Sequence, residues 1–179
     1  MDFSKFDLIY AGAQKNIGPS GTTVVVIKKS WAEKAEKEGN MTMLKYSTHI
    51  GADSMFNTPA VFPVFVINET LKWIKAEGGL DAIEKRNNQK AKLIYDAIDN
   101  SNGFYKAAVA DKDDRSTMNI TFNLESEEKE AEFIKKADAL NMSGLKGHRS
   151  VGGVRASIYN ACPLESVEAL VKFMDDFRS

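Results

Sequence analysis

The stretch Tyr10-Ala11-Gly12-Ala13-Gln14-Lys15-Asn16-Ile17-Gly18-Pro19-Ser20-Gly21 joins two apolar runs. Ahead of it, Phe6-Asp7-Leu8-Ile9-Tyr10 reads as a strand. Behind it, residues 22–27 are β-branched and almost continuously apolar, the pattern of a strand buried on both faces. Strand, loop and strand therefore present a lone lysine, Lys15, among small residues that let a ligand approach the backbone. A lysine held in a packed, partly dry site loses its proton near neutral pH and becomes a nucleophile towards a carbonyl. The plain alternative is a loop lysine in water.

The chain has 179 residues, 43% hydrophobic and 27% charged, a composition that supports a buried core. Lys+Arg 24 against Asp+Glu 25 gives a formal net charge of -1, so bulk attraction to nucleic acid or an anionic membrane is not expected. Apolar runs such as Val24-Val25-Val26-Ile27 are too short to span a bilayer. The single cysteine, Cys162, excludes an intrachain disulfide and fits a small buried residue in the reducing cytoplasm. With one Cys and two separated His, no metal-ligand set is expected. A functional loop so near Met1 leads us to expect a C-terminal piece of a longer protein, with little activity alone.

Further along, a short helix is expected over residues 31–37, stopped by Gly39-Asn40, and residues 41–56 read as irregular. In Asn57-Thr58-Pro59, Thr58 suits an N-cap and Pro59 the first position of a helix running to Glu77, where Gly78-Gly79 ends it. A second helix covers residues 80–100, with Leu80, Ile83, Ala91, Ile94 and Ile98 on one stripe and Glu84, Lys85, Arg86 and Lys90 facing water. Residues 104–110, 118–124 and 154–159 read as strands. Helices are expected over 126–141, with Ala131, Ile134 and Leu140 inward, and over 163–177. Residues 80–179 thus suggest an α+β unit with an antiparallel sheet, and residues before 60 the edge of a parallel-sheet domain.

Gly144-Leu145-Lys146-Gly147-His148-Arg149-Ser150-Val151-Gly152-Gly153-Val154-Arg155 sets cations among glycines, which suits phosphate or carboxylate binding; a solvated basic loop is the alternative. Arg155, opening a strand, can hold a two-pronged pair with a carboxylate. The helix start at Asn57-Thr58 is a candidate anion site or simply a cap. His49 and Asp53, four apart, suggest an acid–base pair without an obvious nucleophile beside them.

Three of these segments together resemble the phosphoserine aminotransferase family. They are Ala11-Gly12-Ala13-Gln14-Lys15-Asn16-Ile17-Gly18-Pro19, Phe56-Asn57-Thr58-Pro59, and the run from Lys146 through Arg155 to Ala156-Ser157-Ile158-Tyr159-Asn160-Ala161. The resemblance covers essentially the whole chain. It implies the aspartate-aminotransferase fold of pyridoxal-phosphate enzymes (fold type I, class V). Residues 1–60 would be part of the large cofactor domain, 61–79 a connecting helix and 80–179 the small domain. It also implies a cytoplasmic homodimer whose sites are shared between subunits. Its substrates would be phosphoserine and 2-oxoglutarate, giving 3-phosphohydroxypyruvate and glutamate, in serine and pyridoxine synthesis. By that resemblance Lys15 carries the pyridoxal 5'-phosphate and Gln14 lies beside it. Asn57 and Thr58 reach the cofactor of the neighbouring subunit, His148 and Arg149 take the substrate phosphate, and Arg155 takes its carboxylate. The contrasting reading is a non-catalytic interaction or dimerisation module.

Overall fold

A computed structural model describes residues 2–36, 39 and 41–179. It divides into two units, Met1–Trp73 and Ile74–Ser179.

In the first unit, β1 (Leu8–Gly12) and β2 (Thr23–Ile27) pair antiparallel, with Leu8 opposite Ile27 and Gly12 opposite Thr23. Lys28 Nζ closes the open end on Asp7 Oδ1 at 2.8 Å. The apolar run is not buried on both faces as its sequence suggests: Val24, Val25 and Val26 are exposed, and no parallel pair occurs among the described residues. Continuous β-branching records a preference for extended backbone, while burial depends on what packs above it. α1 (Lys29–Glu36) follows; Lys37 and Asn40, the expected helix end and stop, lie outside the described residues. The segment expected to be irregular contains a 3-10 turn, Thr42–Leu44, and α2 (Tyr46–Gly51).

α3 (Val61–Ala76) begins later than its sequence suggests, and neither Thr58 nor Pro59 forms its first turn. The Val64 amide donates to the Ala60 carbonyl at 3.2 Å, which makes Pro63 a first-turn residue. Proline is tolerated there because that N–H has no partner inside the helix. Pro63 therefore has no N–H to offer a ligand at this helix end.

In the second unit α4 (Gly79–Asp99), α5 (Glu127–Ala139) and α6 (Leu164–Arg178) accompany a three-stranded antiparallel sheet. Its order is β3 (Lys106–Ala107), β4 (Asn119–Asn123), β5 (Val154–Ser157). β4 alternates along its length: Ile120 and Phe122 are buried, while Asn119, Thr121 and Asn123 are half-buried. Ile94 and Ile98 of α4, Phe133 and Ala137 of α5, and Val167, Phe173 and Met174 of α6 pack on that face. Tyr105 anchors the cluster by donating to the Met174 carbonyl at 2.7 Å. Burial raises its phenol pKa far above the usual value.

Four inward assignments change. Leu80 is exposed at the start of α4, and Leu140 is exposed just past the end of α5. Ala131 is exposed too, because Phe133 and Ala137, four apart, carry the buried stripe. Lys90, expected in water, is fully buried, and Cys162 is only half-buried.

Candidate active site

Lys15 sits in a turn in which the Ile17 amide donates to the Gln14 carbonyl at 3.2 Å. Its φ is 55°, a left-handed value that costs an L-residue about 1–2 kcal/mol. The loop is fixed at its base: buried Ala13 donates to the Thr22 carbonyl at 2.7 Å. It also rests on α3, since a Cβ added at Gly18 would stand 3.1 Å from Ile67 Cγ1. Sequence-local hydrogen bonds and close glycine packing thus hold Gln14 and Lys15 on an exposed, braced turn.

Asn57 and Thr58 are exposed in the segment before α3, where Asn57 Nδ2 donates to the Thr58 carbonyl at 3.3 Å. Asn57 shares a depression of about 800 Å³ with Gly21 and Thr22, at the far end of the lysine loop. Gln14, Lys15 and Thr58 do not line it. The His49–Asp53 pairing is not formed: His49 Nε2 lies 3.1 Å from the Met43 carbonyl oxygen instead.

In the second unit, the segment from Leu145 to Arg155 closes on itself. The Arg155 amide donates to the Leu145 carbonyl at 2.8 Å, and the Gly147 amide to the Gly153 carbonyl at 2.9 Å. At Gly147 any Cβ would collide with the Gly152 carbonyl oxygen, so the two limbs touch backbone to backbone. His148, Arg149 and Ser150 form the exposed tip. The Ser150 amide, which can only donate, points at His148 Nδ1 at 3.3 Å, and Ser150 Oγ is 2.7 Å from the same nitrogen. Nδ1 therefore accepts, which in the neutral ring leaves the proton on Nε2. His148 and Arg149 line a cleft of about 770 Å³ between the tip and α5.

Arg155 is half-buried on β5 opposite Thr121, and its Nε is buried without a partner. A buried donor left without a partner costs about 1–3 kcal/mol. Arg155 does not line the cleft of His148 and Arg149. The loop thus carries an exposed His–Arg pair at its tip and a half-buried guanidinium at its base.

Sequence reasoning missed two braces. Glu130 of α5 binds the base of this loop, and Lys90 Nζ donates to the Ile158, Tyr159 and Cys162 carbonyls just after β5. Glu130 is hidden in the acid-rich run Glu125-Ser126-Glu127-Glu128-Lys129-Glu130. Lys90 was legible in its spacing, three residues after buried Asn87 and four before Ile94.

The chemical groups fit pyridoxal phosphate: a primary amine on a braced turn for an aldehyde, and amide and hydroxyl donors at Asn57 and Thr58 for a phosphate. Among the described residues no cluster of metal-binding side chains occurs, and no helix is long and apolar enough to cross a membrane.

The model of the aminotransferase class-V family matches residues 1–170. The chain belongs to that family, and its fold is that of the pyridoxal-phosphate-dependent aminotransferases. It is 58% identical over 178 residues to a phosphoserine aminotransferase of Lysinibacillus sphaericus (strain C3-41), a match covering 99% of this chain and 49% of that protein. The solved phosphoserine aminotransferase of Bacillus circulans subsp. alkalophilus superposes with a TM-score of 0.92 at 54% identity, covering 99% of this chain and 49% of that one. A pyridoxal-phosphate-bound phosphoserine aminotransferase from Trichomonas vaginalis gives 0.86 at 38% identity, covering 98% and 49%. The chain spans about half the length of the curated relatives it matches.

Proposed function

We propose that these residues form part of a phosphoserine:2-oxoglutarate aminotransferase. It would transfer an amino group between glutamate and 3-phosphohydroxypyruvate in serine synthesis, and serve pyridoxine synthesis through a related phosphorylated substrate. The carrying observation is the closed Leu145–Arg155 loop, which holds an exposed His–Arg tip and a half-buried guanidinium with an unpaired Nε on one backbone. Such a loop suits a substrate bearing both a phosphate and a carboxylate. The similarity to phosphoserine aminotransferases supports the same reading.

In this proposal Lys15, Gln14, Asn57 and Thr58 hold pyridoxal phosphate. Residues 1–60 belong to the cofactor domain, 61–79 connect, and 80–179 form the small domain. When bound, the cofactor supplies an electron sink for charge at the substrate carbon. Lys15 Nζ holds the cofactor and, once released, moves a proton at that carbon. His148 Nε2–H and the Arg149 guanidinium bind phosphate oxygens with charge-assisted bonds. Arg155 grips the carboxylate as a fork and fixes which bond at the substrate carbon is free to break. The working unit is a cytoplasmic homodimer in which Asn57 and Thr58 serve the neighbouring subunit's cofactor.

The test is a titration with pyridoxal phosphate followed by absorbance, then a transamination assay with phosphoserine and 2-oxoglutarate on the full-length protein. Cofactor binding with phosphoserine turnover is the expected result. Absence of both leaves a non-catalytic module as the better description.

A further inference from the structure

Glu130 stands in the wall of the cleft that holds His148 and Arg149, yet its contacts are with backbone and amide groups. Oε1 accepts from Asn123 Nδ2 at 3.0 Å and from the Leu124 amide at 3.2 Å. Oε2 accepts from the Gly153 amide at 3.1 Å. One carboxylate thus ties the end of β4 to the returning limb of the anion loop. Gly153 itself is buried, and its carbonyl accepts from the Gly147 amide, the contact that closes the loop beneath the tip. A negative charge in the wall of a cleft read as an anion site is electrostatically adverse, because it repels the ligand. A neutral side chain would serve the cleft's charge better, so the geometry of the acceptors must justify the carboxylate. Only a group with two acceptor oxygens satisfies donors on both sides at once.

We propose that Glu130 is a positioning residue for phosphate-class anions. It holds Gly153 and so sets the backbone on which His148 and Arg149 are presented, at the expense of local charge. This rests on the phosphate reading of the loop given above. It carries an unusual sign. Glu130→Gln keeps the shape and removes the negative charge, but its NH₂ cannot accept from Gly153. Positioning predicts weaker anion binding, and electrostatics alone predicts stronger. Glu127 lines the same cleft and holds no part of the loop, so Glu127→Gln removes a cleft charge without touching the Gly153 contact.

The experiment titrates inorganic phosphate into the 179-residue chain and its two variants. The readouts are the amide resonances of residues 147–153, hydrogen exchange at Gly153, and unfolding in urea. Wild type is expected to show saturable shifts at the tip. Glu127→Gln should bind phosphate as well or up to about threefold better. Glu130→Gln should bind about fivefold to tenfold worse, with Gly153 exchange accelerated at least tenfold while the β4 core amides stay protected. Equal or tighter phosphate binding by Glu130→Gln overturns the positioning role and leaves the phosphate site standing. A loss of protection spread through β4 makes Glu130 a general structural brace and overturns it too. Absence of any shift in wild type overturns the phosphate reading itself, and this proposal with it.

Discussion

The Lys90 ammonium donates to the Tyr159 carbonyl at 2.8 Å from a position with no exposure to solvent. With Ile158 and Cys162 accepting at 3.0 Å each, the three protons of one side chain finish the backbone hydrogen bonding of the turn after β5. Beside it, Asn87 Nδ2 donates to Asn160 Oδ1 at 2.8 Å, so α4 grips that turn twice. Lys90→Met keeps the length and the apolar stem but leaves those carbonyls without their donor. We expect a loss of about 3 kcal/mol in urea unfolding. Burial pushes the Lys90 pKa down, so the unfolded chain binds more protons in the window just below pH 10.5. Wild-type stability should gain from this group as pH rises through that window, and the gain should vanish in Lys90→Met. Equal alkaline slopes in the two proteins would count against the assignment.

Arg115 grips both oxygens of Asp99 at 2.9 Å, and Lys112 adds a third contact at 2.9 Å. The Arg115 bonds first, then Lys112, hold the Asp99 pKa at about 2 against an ordinary 3.8. A depressed carboxylate contributes stability that is complete above pH 3.8 and lost as pH falls through 2. Allowing for solvent screening at this partly exposed site, the contribution is about 1 kcal/mol. Asp99→Asn should remove that part of the acid slope between pH 4 and 2, measured by denaturant unfolding across that range. An unchanged slope sinks the attribution.

At position 15 the left-handed backbone and the amine can be separated. Lys15→Ala and Lys15→Gly both remove the amine, but only glycine relieves the backbone. Glycine should be the more stable variant by about 1 kcal/mol in urea unfolding. In the full-length protein neither should retain cofactor fixed by borohydride. A stable adduct after Lys15→Ala would refute the lysine assignment.

Arg155→Lys replaces a fork by a point charge. The KM for glutamate should rise about tenfold, since roughly 1.4 kcal/mol of oriented hydrogen bonding is lost. An unchanged KM for glutamate would show that the orphaned Nε serves another purpose.

Much of this was legible. A β-branched run located β2, the strand reading of residues 118–124 located β4, and helical spacing located α4 and α6; the lysine turn stood out for its small neighbours and the cationic loop for cations set among glycines. Failures came where one physical rule concealed another. Lys90 was assigned to water on residue type, although its place between Asn87 and Ile94 is a buried register. Thr58-Pro59 carries the local marks of a helix start, but the chain holds a second proline four residues on, and α3 begins at Val61 with Pro63 in its first turn. Glu130 could not be singled out, because its value lies in reaching Gly153, far away in sequence.

The contact between Gly147 and the Gly152 carbonyl has a consequence for how this chain can vary over generations. The base of the cationic loop admits no side chain at residue 147, so its backbone is closed to drift. The tip residues His148, Arg149 and Ser150 are exposed and answer to no such restriction. On the proposed reading of this loop as an anion site, changes in the anion it prefers are open to single substitutions at the tip, made on an inherited backbone that itself stays fixed.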